Sequence, residues 1–198
     1  MKPEPNNFQA SARNYLSQVQ ESFTPEILEK IENLATDLLD AWVKHQKVFI
    51  CGNGGSAANA LHMANDFHYG IGACGEGKKI PGLHVDALPA NTGVITCLAN
   101  DTGYENIYAH QLEVKAHKND LLITLSGSGN SPNITKALTT AKSLGLKTSE
   151  TFMDLLTFRF SPSIGQREVG SLRPTKAHRD TWASNIYNQI LYHPSNCL

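Results

Sequence analysis

Two stretches rich in glycine and serine hold the groups best suited to chemistry. Ser126-Gly127-Ser128-Gly129-Asn130-Ser131 offers three hydroxyls, with glycines that let a backbone come close to an anion. Gly52-Asn53-Gly54-Gly55-Ser56 is the second. Where such a loop opens a helix, free N–H groups and the positive end of the helix dipole suit phosphate. Each hydrogen bond to a charged group contributes about 1.5–3 kcal/mol net, so a few suffice to hold a sugar phosphate at millimolar-to-micromolar concentration. One loop of this composition is ordinarily a surface turn. Two of them, each behind a buried apolar run, point to a ligand. Neither reads G-x-x-x-x-G-K-[ST], which disfavours a nucleoside triphosphate, and the first lacks the helix-opening third glycine of a dinucleotide site. His62 and Asp66 are four residues apart, a spacing that puts imidazole and carboxylate on one helix face. Such a pair can bind a divalent metal, handle protons, or be an ordinary surface pair. Its place within two turns of the first loop favours chemistry.

Strands and helices must bring these groups together. Lys47-Val48-Phe49-Ile50-Cys51 is a short apolar run ending in glycine and reads as a buried strand, with Ala57 to Phe67 helical after the first loop. Leu83-His84-Val85 begins a second strand, and the Thr/Val/Ile content of Gly93 to Leu98 fits a short strand or a helical turn. Glu105 to Ala116 reads as helix, and Asp120 to Leu125 as a third strand leading into the second loop. Asn133 to Leu144 is a helix closed by Gly145. Strand, loop, helix, repeated, is the grammar of an α/β fold with a doubly wound parallel sheet, in which ligands bind at the carboxyl ends of the strands.

Ahead of the first strand, Phe8, Ala12, Tyr15, Val19 and Phe23 recur at helical spacing, a narrow apolar seam. Thr24 then caps a second helix with Pro25 at its first position, and Ile27, Leu28, Ile31, Leu34, Leu38 and Trp42 share one face. Two such helices can form a hairpin that covers a partner subunit or the chain's own sheet. Residues 1–46 are therefore read as N-terminal oligomerisation helices and 47–148 as the α/β core.

The whole chain has 198 residues, 40% of them apolar and 18% charged, with a net charge of −1. This suits a folded domain and gives no basic excess for nucleic acid. No run reaches membrane-spanning length, and the start of the chain has no apolar signal core. Cys51, Cys74, Cys97 and Cys197 form no C-x-x-C pair, so reduced thiols in the cytoplasm are expected. The vocabulary then changes abruptly. Residues 1–148 contain 11 Lys and one Arg, whereas 149–198 contain one Lys and four Arg, and alanine falls from 16 to two. Residues 149–198 are an atypical tail with no coherent apolar face, so the folded part is expected to end near Lys147.

Cys51 to Ala60, then His62, then Leu98-Ala99-Asn100-Asp101 with Gly103-Tyr104-Glu105, then Ser126 to Asn133, strongly resemble the phosphoheptose isomerases of the sugar isomerase (SIS) family, over roughly residues 8–148. The resemblance implies conversion of sedoheptulose 7-phosphate to D-glycero-D-manno-heptose 7-phosphate. That step leads to nucleotide-activated heptoses for lipopolysaccharide core, capsule or S-layer glycans. It also implies a cytoplasmic homotetramer with sites at subunit interfaces and one zinc per subunit, and no nucleic-acid or membrane partner. By motif position, Asn53, Gly54, Gly55, Asp66, Asn100 and Asp101 would contact substrate. Ser126, Gly127, Ser128 and Ser131 would hold the phosphate, His62 and Asp66 would ligate zinc, and Asp66 would be a catalytic acid/base. A second implication is a non-enzymatic SIS-fold tetramer that binds the replication initiator, and a third is an inactive truncated isomerase.

The sequence departs from the family in two places. The second metal ligand is usually glutamate. Asp66 is one methylene shorter, and a displacement near 1 Å can cost about 10²-fold in rate. The family's last helix carries a glutamine and, eight residues on, a histidine that completes the metal site and supplies the second acid/base. Here Asn185 and His193 alone have that spacing, within a stretch from Thr181 that can be helical, and His178 is a second candidate. His193 is taken as the candidate for the second acid/base. The break in family likeness coincides with the Lys-to-Arg switch. A shifted reading frame near codon 148 would produce both, and true divergence or fusion is the alternative.

Overall fold

The computed structural model describes residues 8–70 and 81–149. Two helices come first, α1 (Phe8–Ser22) and α2 (Pro25–Val43), then strand β1 (Lys47–Gly52) and helix α3 (Gly55–Asn65). A π-turn (Asp66–Gly70) extends α3, and strand β2 (His84–Ala87) runs into a short 3₁₀ turn. Helix α4 (Thr92–Asp101), a 3₁₀ turn (Tyr104–Asn106) and helix α5 (Ala109–Lys115) follow. Strand β3 (Leu121–Leu125), helix α6 (Pro132–Leu144) and the two-residue strand β4 (Lys147–Thr148) complete the described chain.

All strand pairs are parallel, in the order β2-β1-β3-β4. The chain steps from β1 to β2 on one side and returns to lay β3 on the other, so the winding reverses between β1 and β3. That reversal is where open α/β sheets leave a crevice at the carboxyl ends of the strands. Alternation along the strands divides the core. Val48, Ile50, Leu121, Ile123 and Leu125 face a layer with Leu34, Leu38, Ala60 and Phe67 from α2, α3 and the π-turn. Phe49, Cys51 and Leu122 face the opposite layer with Tyr108, just ahead of α5, Leu112 from α5, and Ile134, Ala137 and Ala141 from α6. Covering both faces explains why β1 and β3 read as continuous apolar runs instead of alternating ones.

Asp120 ties the amino ends of the two central strands. Its buried carboxylate accepts from the backbone N–H of Lys47 at 2.9 Å and of His117 at 2.8 Å, and its carbonyl accepts from Lys147 N–H at 2.8 Å. β4 is held to α2 by Lys147 Nζ, which lies 3.0 Å from an oxygen of Asp37 and 3.5 Å from one of Asp40.

The capped start of α2 is as expected: Thr24 Oγ1 accepts from Ile27 N–H at 3.4 Å, with Pro25 at the first position. α2 spends its apolar face on the chain's own sheet, burying Ile31, Leu34, Ala35, Leu38 and Ala41. Among the residues whose burial is described, α1 adds none to either core layer. Three element boundaries differ from the sequence reading. Helix α3 begins at Gly55, two residues earlier than expected, and gives way to the π-turn at Asp66. Gly93–Leu98 lies inside α4, whose start is capped by Asn91 Oδ1 accepting from Val94 N–H at 3.1 Å. The single helix expected over 105–116 is a 3₁₀ turn and a short helix, between which Ile107 and Tyr108 turn into the core.

Candidate functional site

The register of the sheet sets the two loops side by side, because Gly52 at the end of β1 pairs with Leu125 at the end of β3. In the first loop, a Cβ on Gly52 would lie 2.7 Å from the Ser56 Cβ and 2.8 Å from its backbone, so only glycine lets α3 start this close to its strand. Gly54, at φ 57°, makes the turn that opens α3. In the second loop, buried Ser126 turns its Oγ back to accept from Gly129 N–H at 3.1 Å. Exposed Ser128 accepts from Asn130 N–H at 3.3 Å. Ser131 is the N-cap residue of α6, yet its side chain makes no capping bond. The loop therefore closes on serine oxygens acting as acceptors, which leaves hydroxyl protons for another acceptor. Gly127 is exposed at its tip.

A polar bridge joins the loops. Asn53 Nδ2 donates to Asn133 Oδ1 at 2.9 Å, and Asn133 Nδ2 donates to Asn53 Oδ1 at 2.7 Å. Tyr104 donates its hydroxyl to Asn53 Oδ1 at 3.4 Å, and the buried Tyr108 hydroxyl donates to the Gly52 carbonyl. Burial is the main cause that raises the Tyr108 phenol above its usual range. Cys51, enclosed beside it in the core, has its thiol pushed up to about 12 by burial alone.

His62 and Asp66 do meet. His62 Nε2 lies 3.4 Å from Asp66 Oδ2, with the aspartate buried and the histidine partly exposed. Asp66 stands where the α-helix widens into the π-turn, a distortion often found at functional sites. Asn100 and Asp101 lie exposed at the end of α4. They bond each other at 2.7 Å, and Cys97 Sγ lies 3.4 Å from Asp101 Oδ2. That carboxylate raises the Cys97 thiol, first through the hydrogen bond and then through its charge. Among the described residues no hydrogen bond or ion pair ties Asn100 or Asp101 to either loop; the 3₁₀ turn that follows them carries Tyr104, which does reach Asn53. His178, Asn185 and His193 lie outside the described residues. No group of three His, Cys, Asp or Glu able to hold a metal exists among the described residues.

The sequence reading gave no role to Tyr104, Tyr108 or Asn133. A signal for Asn133 existed: it shares a buried helix face with Ala137 and Ala141, where a polar residue demands a partner.

Comparisons with known proteins match the fold described above. The family model described as SIS domain matches residues 7–149. A phosphoheptose isomerase of Chlorobaculum parvum is 37% identical over 134 residues, 68% of this chain and 63% of that protein. One from Helicobacter pylori is 42% identical over 124 residues, 62% of each. The chain thus spans less than two thirds of these curated relatives. Among solved structures, the phosphoheptose isomerase of Neisseria gonorrhoeae superposes with a TM-score of 0.61 at 26% identity, covering 71% of this chain and 72% of that one. The Francisella tularensis enzyme, with a TM-score of 0.60 at 23% identity and the same coverage, shares the fold.

Proposed function

The chain belongs to the SIS-domain family, and on that premise we propose that its paired loops form the site of an aldose–ketose isomerase. The substrate is sedoheptulose 7-phosphate and the product D-glycero-D-manno-heptose 7-phosphate, destined for nucleotide-activated heptose. The observation that carries the reading is the pairing of the loops at the sheet's reversal point, where serine hydroxyls and helix-opening N–H groups converge. Ser126, Gly127, Ser128 and Ser131 hold the phosphate; Asn53, Gly54 and Gly55 face the sugar; Asn100 and Asp101 contact it from α4. The relatives named above are phosphoheptose isomerases, and nothing among them supports an initiator-binding tetramer.

Isomerisation through an enediol needs a base that moves a proton between C1 and C2. Asp66 is our candidate, oriented by His62 at 3.4 Å. His62 and Asp66 are also the candidate zinc ligands. A catalytic zinc takes three protein ligands, and the described residues supply two, so they do not by themselves complete a zinc centre. We expect weak zinc binding in calorimetry and slow turnover, with His193 or His178 the candidates for the missing role. The protein acts as a cytoplasmic homotetramer in this reading. Tyr15 and Val19 on α1 are only partly covered within one copy, which leaves an apolar seam for a neighbour.

Incubation of the full chain with sedoheptulose 7-phosphate, followed by product analysis, tests the proposal. Formation of the heptose phosphate, even slowly, supports it. Absence of both product and substrate binding overturns it.

A further inference from the structure

We infer that Asn133 is a positioning residue that clamps the two loops together through Asn53, and that the clamp leaves Asn53 able to donate to a bound sugar but not to accept from it. The inference rests on the proposal that these loops hold a sugar phosphate.

A side-chain amide has one oxygen with two lone pairs and one NH₂ with two donors. Asn53 Oδ1 takes Asn133 Nδ2 at 2.7 Å and the Tyr104 hydroxyl at 3.4 Å. Tyr108 also comes within 3.4 Å of it, but a phenol has one proton, and the closer Gly52 carbonyl takes that proton. Both acceptor positions of Asn53 are therefore in use. One of its two N–H donors goes to Asn133 Oδ1 at 2.9 Å, and the other meets no acceptor among the described residues. A group so committed can reach a carbonyl, a developing oxyanion or a hydroxyl oxygen of the sugar as a donor only.

Asn133 is 1% exposed, so water cannot stand in for its partner. It sits in the first turn of α6, directly behind the second loop, and its partner lies 80 residues earlier in the first. The two ends of a substrate, phosphate in one loop and sugar in the other, depend on that spacing. Positional errors near 1 Å lower catalysis by about 10²-fold.

The test is a double-mutant cycle in the full chain, with Asn53→Ala, Asn133→Ala and the pair together. The first readout is amide hydrogen exchange of the peptide covering residues 52–57, with no ligand present. The second is calorimetric affinity for sedoheptulose 7-phosphate. Asn133→Ala should speed exchange in the first loop and weaken binding by about 10-fold to 100-fold. In the Asn53→Ala background the same change should add little. Additive effects, or an unchanged first loop, overturn the clamp, because a merely structural Asn133 would act equally in both backgrounds. If Asn133→Ala does not fold, Tyr104→Phe removes one donor from an exposed residue. It should raise loop exchange only while Asn53 is present, and a rise that persists without Asn53 counts against the clamp. If the wild-type chain fails to bind the sugar phosphate, the functional reading falls and the exchange cycle still decides the clamp.

Discussion

Ser126 and Ser128 differ by one property that separates binding from stability, and replacing each with alanine should expose it. Both hydroxyl oxygens accept a backbone N–H, from Gly129 at 3.1 Å and from Asn130 at 3.3 Å. Each hydroxyl therefore keeps its proton for an anion. Losing a donor to a phosphate removes about 1.5–3 kcal/mol, roughly 10-fold to 150-fold in affinity. Both variants should lose that much for sedoheptulose 7-phosphate in calorimetry. The folded state responds differently. Ser126 is 5% exposed, so Ser126→Ala strands the buried Gly129 N–H and costs about 1–3 kcal/mol in urea unfolding. Ser128 is exposed, water replaces its oxygen, and Ser128→Ala should leave stability within about 0.5 kcal/mol. Unchanged affinity in both variants would refute the phosphate assignment. Equal destabilisation by the two would refute the account of how the loop closes.

Four further tests probe the scaffold. Gly52→Ala forces a methyl into Ser56 and should destabilise by about 1–3 kcal/mol in urea, while Gly54→Ala acts only through its positive φ; a neutral Gly52→Ala would contradict the close approach of α3. Thiol labelling of the native protein at pH 8, located by mass spectrometry, should modify Cys97 and spare Cys51. The Cys51 thiol is raised on folding, so its contribution to stability is complete below its ordinary value of 9.0 and is lost as pH climbs towards about 12. The urea midpoint of the wild type should therefore fall more steeply over that window than that of Cys51→Ala, and parallel slopes would count against the burial. Removing residues 1–23 should lower the mass seen by light scattering, and a full-length chain that is already monomeric refutes α1 as the assembly element.

The central strands were legible because β1 and β3 lie between two helical layers. Burial on both faces writes an uninterrupted apolar run ending at glycine, and local composition suffices to find it. The loops after them were legible for the same reason: glycine and serine serve a local backbone need. α4 was ambiguous because Val94, Ile95 and Thr96 are β-branched and the helix buries no residue fully, so neither propensity nor a strong apolar face spoke for it. The break at Ile107 and Tyr108 was hidden, since a helical period continues across it. The spacing of His62 and Asp66 implied their contact, a matter of one helix turn. The bridge from Asn53 to Asn133 spans 80 residues, and no local pattern states which amide meets which.

The central place of β1 sets a timetable for making the protein. β1 takes its hydrogen bonds from β2 on one side and β3 on the other, and Lys47 N–H waits for the carboxylate of Asp120. At synthesis rates of about 5–20 residues per second, the interval between the emergence of Gly52 and that of Leu121 is roughly 3–14 s. Through that interval Val48, Phe49 and Ile50 have a partner along one edge at most, and the layer built by α5 and α6 still lacks α6. For that time the nascent chain exposes an apolar strand with an unpaired edge, the kind of surface that favours aggregation. Pauses placed before residue 121 lengthen its exposure, whereas pauses after residue 144 find the sheet's centre already closed.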